Sequence, residues 1–299
     1  MKLAIDGDTL CYKACFATEY NVYKLEEEGY VFRYKKDCDG FIALNFDGED
    51  FPDVIKEKVI EPISHTYHLL KIMTEGLCNE LKPDSVHIFL SSNEYSNFRY
   101  MIPYPIKYKG NRPDKPIHIE EARQYLIKNY KAEVTDGYEA DDALGMFLTL
   151  HNDEAVVAAV DKDLRQIPGK HYHLDTCLLT FIGEVEGLRS FYRQMLMGDR
   201  VDNIIGIDGI GIKTAEKLID KLHMQKDMDD IVRAKYKEFF KEDWENMYKS
   251  NFDLLWVLRS EEEYQETKKY YDTRKREAEG PRTPEMDTKQ IDTIGGITS

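Results

Sequence analysis

The chain has 299 residues, enough for one large domain or two modest ones with a substantial buried core. No run approaches the roughly eighteen consecutive apolar residues of a membrane helix, and Met1 leads into Leu3, Ala4, Ile5 and Asp6 without a basic or long apolar leader, so neither a membrane span nor a signal peptide is expected. A formal charge of -15 argues against a surface that grips phosphate uniformly.

Residues 3–5 form the first apolar run and read as a buried parallel strand, followed by a helix carrying Cys11 and Cys15. With Cys38, Cys78 and Cys177 the cysteines number five and show no metal-ligand spacing, so they read as free thiols in a reducing cytoplasm. Residues 20–51 fit poorly after this start: VYKL and YVFRYKK, separated by EEEG, predict an inserted hairpin. Residues 51–81 place Val54, Ile55, Val59, Ile60, Ile63, Leu69, Leu70 and Ile72 at mostly helical spacing. A second buried strand is predicted over 86–90, shorter amphipathic helices over 119–130 and 140–151, and a third buried strand over 155–160. After about residue 190 the pattern is helical, and from about Arg274 it turns polar, a disordered tail or a partner-binding peptide. Strands alternating with helices imply an α/β fold with a mostly parallel sheet, whose site gathers at the carboxyl ends of the strands.

Charge is distributed unevenly. Between Arg99 and Lys131 eight Lys and Arg stand against three acids, whereas Glu133 to Asp142 holds five carboxylates and no base. A basic strip beside an acidic knot suits a protein that grips phosphate with one surface and metals with another.

Four acidic groups stand out: Asp6 and Asp8 in IDGD; Glu139, Asp141 and Asp142 in YEADDALG; Asp161 and Asp163 in VDKDL; Asp199 and Asp202 in GDRVDN. Taken singly, each has a structural explanation as a helix cap, a dipole partner or a turn. Taken together they differ, because Asp6 and Asp161 directly follow predicted strands and should meet at one sheet edge. Seven or eight carboxylates there cannot all stay ionised without cations. Oxygen donors without His or Cys select two Mg²⁺ or Mn²⁺ ions, the usual arrangement for phosphodiester hydrolysis.

Downstream, NIIGIDGIGIKTAEKLI places Gly209 and Gly211 before Lys213 and Thr214, which open a helix. Such glycines let backbone N–H groups approach a phosphate at a positive helix end. Lys213, Lys217 and Lys221 recur at four-residue intervals along one helical face, suited to a duplex backbone.

At these residues the chain resembles the flap endonuclease and 5′-nuclease family, especially its bacteriophage and bacterial members. The resemblance covers residues 2–10 and 86 to about 222, with YEADD, VDKDL and GDRVDNIIGIDGIGIKTA in the family's order. It implies a PIN-like nuclease core over 1–190, with an arch region over 99–118, then a helix-three-turn-helix module over 191–273 and the tail over 274–299, a peptide for a replication partner. It further implies metal-dependent cleavage of DNA near 5′ ends, flaps, nicks or RNA primers by a monomer. Asp6, Glu139 and Asp141 would hold the first metal with Asp161 shared. Asp163, Asp199 and Asp202 would hold the second, with Asp142 a ligand through water. In YKGNR, Lys109 and Arg112 would touch the scissile phosphate, helped by Arg99, while Tyr108 would stack on a terminal base. The glycine hairpin would hold duplex and bind K⁺ through backbone oxygens.

Two departures matter. Where the family carries an aspartate after its second strand, this chain has Leu90, Ser91, Ser92 and Asn93, with Glu94 out of place, leaving Asp8 as a candidate extra ligand. The segment 113–116 is short and proline-containing where relatives have a longer helical arch. Two rival readings stand beside the nuclease: a PIN-like ribonuclease, against which the glycine hairpin speaks, and a nucleic-acid-binding protein with a degenerate metal site.

Overall fold

The computed structural model describes residues 1–25, 29–46, 52–93 and 96–279. In chain order the elements are β1 (Lys2–Asp6), α1 (Gly7–Thr18), β2 (Glu19–Leu25), β3 (Val31–Phe32), α2 (Lys35–Asn45), β4 (Val54–Ile60), α3 (Ile63–Leu81) and β5 (Ser85–Leu90). Then come α4 (Ile119–Tyr130), β6 (Glu133–Val134), α5 (Ala140–His151), β7 (Ala155–Ala159), β8 (Gly169–His173), β9 (Leu178–Ile182) and α6 (Glu184–Met197). The chain continues with β10 (Gly198–Asp199), β11 (Ile204–Ile205), α7 (Ile212–Ile219), α8 (Gln225–Phe240), α9 (Trp244–Leu255) and α10 (Glu261–Glu279).

The three strands expected from apolar runs lie side by side as β5, β1 and β7, all parallel, at the centre of a sheet ordered β6-β5-β1-β7-β8-β9. Period two explains why β1 is buried on both sides. Leu3 and Ile5 pack with Leu10, Leu70, Leu126 and Val156, whereas Ala4 packs with Ala143, Leu144 and Val157 on the α5 face. Helices α1, α3 and α4 therefore cover one face and α5 the other. Gly7 is required by close approach: a Cβ there would stand 2.8 Å from the Phe89 carbonyl oxygen.

Several expectations are corrected. Residues 54–60 form strand β4, not the start of a helix, and α3 begins at Ile63. VIKEKVI alternates in short steps, and β4 pairs antiparallel with β2 from Ile60 against Glu19 to Val54 against Leu25. The predicted hairpin is present as β2 with β3, enlarged by β4 and α2. Strand β8 and the edge strand β9 escaped the sequence reading because GKHYH is polar and LLTFI leaves four of its five side chains exposed. The mostly helical stretch beyond residue 190 also holds the two-residue ladder β10–β11. Residue 190 itself lies inside α6, not at a linker. At the end of the described chain α10 runs to Glu279, past the tail start expected at Arg274, and residues 280–299 lie outside the described set.

Helices α6 to α10 build a second core around Phe191, Tyr192, Met195, Met228, Val232, Tyr236 and Tyr248. Gly198 joins α6 to β10 at φ +68, where a Cβ would meet the Gly206 nitrogen at 2.3 Å; a Cβ on Gly206 would meet the Met197 carbonyl oxygen at 2.0 Å. Among the described residues no helix is long and apolar enough to cross a membrane.

Candidate active site

The carboxyl ends of β1 and β7 open on a cleft of about 730 Å³ lined by Asp6, Asp8, Lys109, Arg112, Glu139, Asp141 and Asp161. Asp6 ends β1 and caps α1, accepting from the Thr9 N–H at 3.0 Å and from the Thr9 hydroxyl. Glu139 caps α5, and Asp141 lies in that helix's first turn. Asp161 follows β7 and accepts from the Asp163 N–H at 2.7 Å. Asp6 and Asp8, Glu139 and Asp141, and Asp161 thus line one cleft at the sheet edge.

Electrostatics separates these acids. Burial and the neighbouring Asp8 push Asp6 up to about 7. Burial, then Asp161 and Asp6, hold the Asp141 carboxyl well above the ordinary range. Asp163 is likewise raised to about 7 by burial, Asp161 and Asp199. Glu139 goes the other way: burial opposes its charge, yet Lys109 and Arg99 hold it down to about 2. The Lys109 ammonium donates to Glu139 at 2.5 Å and stands 3.6 Å from Asp202, while Arg112 donates to Asp202 at 2.6 Å.

Asp199 ends β10, and Asp202 lies on the turn that leads to β11. The Asp199 carboxylate accepts from the Val201 N–H at 2.8 Å and pairs with Lys162 at 2.8 Å, and Lys162 and the two turn N–H groups hold it below the ordinary carboxylate range against the effect of burial. The Gln194 amide donates to Asp163 at 2.7 Å and to Asp199 at 3.3 Å. Gln194, Lys162 and Thr9 were not singled out from sequence. A polar residue in the apolar RQMLM end of a helix, five residues before Asp199, is the one signal that could have found Gln194.

Four expected site residues serve other ends. Asp142 is fully buried against Arg99, accepting at 2.5 and 2.8 Å from its guanidinium and at 3.0 Å from both the Glu139 and Leu258 N–H groups. It therefore has no free lone pair for a metal-bound water. Arg99, with 3% of its surface exposed, also donates to the carbonyls of Leu254 and Trp256, so it ties α5 to the end of α9 and cannot touch a phosphate in the cleft. Tyr108 is buried edge-on to Tyr100 with its hydroxyl 3.4 Å from Glu139 and Asp202, which removes its face from any terminal base. Asp8 borders the cleft and ties α4 to the end of β5, one oxygen pairing with Arg123 and the other accepting from the Ser91 N–H. Ser91, within the 90–93 stretch where the resemblance leads one to expect an aspartate, accepts from the Ala140 N–H on its hydroxyl oxygen at 2.9 Å; Glu94 lies outside the described residues.

The donor set is all oxygen, the kind a hard divalent cation takes. As the side chains stand, no group of three or more His, Cys, Asp or Glu among the described residues is disposed to hold a metal ion. Lys109, Arg112 and Lys162 take up Glu139, Asp202 and Asp199 in that arrangement. Farther along, Gly209, Gly211, Lys213, Thr214 and Lys217 are all exposed, with Ala215 and Ile219 turned into the core.

No family model matches the chain. It is 32% identical to DNA polymerase I of Bacillus caldotenax over 160 residues, covering 44% of this chain and 18% of that protein. It is 34% identical to the 5′-3′ exonuclease of Bacillus subtilis strain 168 over 136 residues, 38% of this chain and 45% of that one. Over 178 residues it is 29% identical to the 5′-3′ exonuclease of Buchnera aphidicola, 54% of this chain and 61% of the relative. The matches thus span less than two thirds of these relatives. Among solved structures, a T5 protein co-crystallised with metal ions superposes with a TM-score of 0.56 at 12% identity, covering 91% of this chain and 98% of the other. A bacteriophage T5 flap endonuclease in a pseudo-enzyme–product complex with DNA and metal ions gives 0.50 at 12% identity over the same 91% and 98%. The mixed sheet flanked by helices is a 5′-nuclease fold, and the resemblance read from the motifs holds in the relatives named 5′-3′ exonuclease.

Proposed function

We propose that this chain is a divalent-metal-dependent 5′-nuclease that hydrolyses phosphodiester bonds of DNA near 5′ ends or branch points. One observation carries the reading: Asp6, Glu139, Asp141 and Asp161 line a cleft at the carboxyl edge of a parallel sheet with Lys109 and Arg112 among them. The names of the relatives support it, and so does the DNA in the T5 complex. Asp6, Glu139 and Asp141 would hold one ion with Asp161 shared, and Asp163, Asp199 and Asp202 a second. Two Mg²⁺ or Mn²⁺ ions bound there would supply Lewis-acid polarisation of the phosphate and a nucleophile at neutral pH.

The protein's own groups do the rest. Thr9 fixes the Asp6 carboxylate through two hydrogen bonds. Lys109 and Arg112 now neutralise Glu139 and Asp202; once those acids face cations, the ammonium and guanidinium are free to donate to phosphate oxygens as charge develops there. Exposed Gly209, Gly211, Lys213, Thr214 and Lys217 would bind duplex without reading sequence, as the family's helix-three-turn-helix module, with K⁺ held by backbone oxygens of the turn.

The test is incubation with end-labelled flap, nicked and blunt duplexes, with Mg²⁺ or with a chelator, and mapping of the products. Metal-dependent cuts near 5′ ends are expected. Faster cleavage of single-stranded RNA than of any DNA would favour the PIN-like ribonuclease, and tight DNA binding without cleavage a degenerate site.

A further inference from the structure

We infer that Gln194 is a positioning residue for the second cation site, its side-chain amide holding Asp163 and Asp199 at a fixed separation. The inference rests on the metal-dependent reading above and adds to it a residue outside the acidic motifs.

The two acids come from different parts of the chain. Asp163 starts the short turn after β7, and Asp199 closes β10 beyond α6. Gln194 lies on α6 between them, with 8% of its surface exposed, beside the core residues Met195 and Leu196. A buried amide is costly without partners. Its NH₂ group carries two protons, and the two acids accept them at 2.7 and 3.3 Å. Turning the amide over would set its carbonyl against two carboxylates, so the donor orientation is the one the surroundings allow.

Lys162 makes an instructive contrast. Its ammonium is 2.8 Å from Asp199, but 65% of its side chain is exposed and it carries a full charge. A divalent ion arriving at Asp199 competes with Lys162 and can drive it into solvent. Gln194 is neutral and anchored in the helix, so it can remain bonded to both acids while an ion binds their other lone pairs. Partners of this kind orient metal ligands, and their loss lowers metal affinity roughly 10–100-fold.

The experiment uses the full chain without DNA and follows free Mn²⁺ by electron paramagnetic resonance, alongside thermal melting of the metal-free protein. The native chain is expected to bind two Mn²⁺. Gln194→Met keeps length and volume but removes both donors; one Mn²⁺ should bind roughly 10–100-fold more weakly while the other is unchanged. Gln194→Asn, one methylene short of bridging, should show the same loss should the Met variant fold poorly. Lys162→Met removes a competitor and should leave the weakened class at native affinity or tighter. A role confined to packing would lower the melting temperature of Gln194→Met and leave Mn²⁺ affinity intact, which overturns the inference. A loss in Lys162→Met equal to that in Gln194→Met overturns it as well. Failure of the native chain to bind any Mn²⁺ instead sinks the metal-dependent reading, and this inference with it.

Discussion

Asp141 and Asp142 are sequence neighbours with opposite duties, and substituting Asp142 tests that division. Asp142→Ala removes the carboxylate that pairs with the buried Arg99 guanidinium and strands the Glu139 and Leu258 N–H groups, each now 3.0 Å from an Asp142 oxygen. Breaking a buried ion pair from one side costs about 3–5 kcal/mol, and each stranded donor adds in the same direction. Taking about 4 kcal/mol for the broken pair alone, and about 2–4 °C per kcal/mol for a large domain, the melting temperature should fall by roughly 8–16 °C before the stranded donors are added. Replacing both partners, as Arg99→Met with Asp142→Leu, should recover much of that loss because no charge is left buried alone. Calorimetry and far-ultraviolet circular dichroism on the three variants measure it. An Asp142→Ala protein that melts like the native chain but loses Mg²⁺ affinity would return Asp142 to the metal site and refute the assignment.

Other predictions are more local. Asp141→Asn should abolish cleavage, leave duplex binding intact and raise the metal-free melting temperature, because burial, then Asp161 and Asp6, oppose a charge on that carboxyl; full-rate cleavage would refute it. Asp6 and Asp163 titrate near 7 in the fold against an ordinary value of 3.8. A carboxyl raised on folding stabilises fully below its unfolded pKa and loses that contribution as pH climbs through the folded one. The metal-free chain should therefore lose thermal stability between about pH 4 and about pH 7, with Mg²⁺ restoring it at the upper end; a melting temperature that instead rises across that range counts against the raised values. Gly206→Ala, whose Cβ would sit 2.0 Å from the Met197 carbonyl oxygen, should destabilise the fold by several kcal/mol by forcing the backbone apart, as seen in chemical unfolding. Lys213→Ala and Lys217→Ala should each weaken duplex binding for all sequences alike and reduce the slope of log affinity against log salt by about 1. Unchanged slopes would remove α7 from the interface.

Legibility in the sequence followed burial. Strands β1, β5 and β7 are covered on both faces, so each is a plain apolar run, and the rule that sites gather at strand ends points from those runs to the edge where the cleft lies. β8 and β9 have exposed or polar side chains and left no such trace. The acidic motifs marked the right neighbourhood but not the division of labour within it. Asp142, Arg99 and Tyr108 look like a ligand, a phosphate contact and a base-stacking ring on paper; only packing reveals that each is enclosed, two of them paired with one another. Gln194 stayed hidden for the converse reason, since a neutral amide carries no sign of which acids it will meet.

The contact between Gly198 and Gly206 has a mechanical consequence. Backbone lies directly on backbone there, with no compressible side-chain layer between the turn bearing Asp199 and the strand that leads to α7. Displacement of one is passed undamped to the other. On the proposed function, the jaw that grips duplex and the jaw that cuts are one casting, and the distance from grip to cut is a gauge set in the main chain.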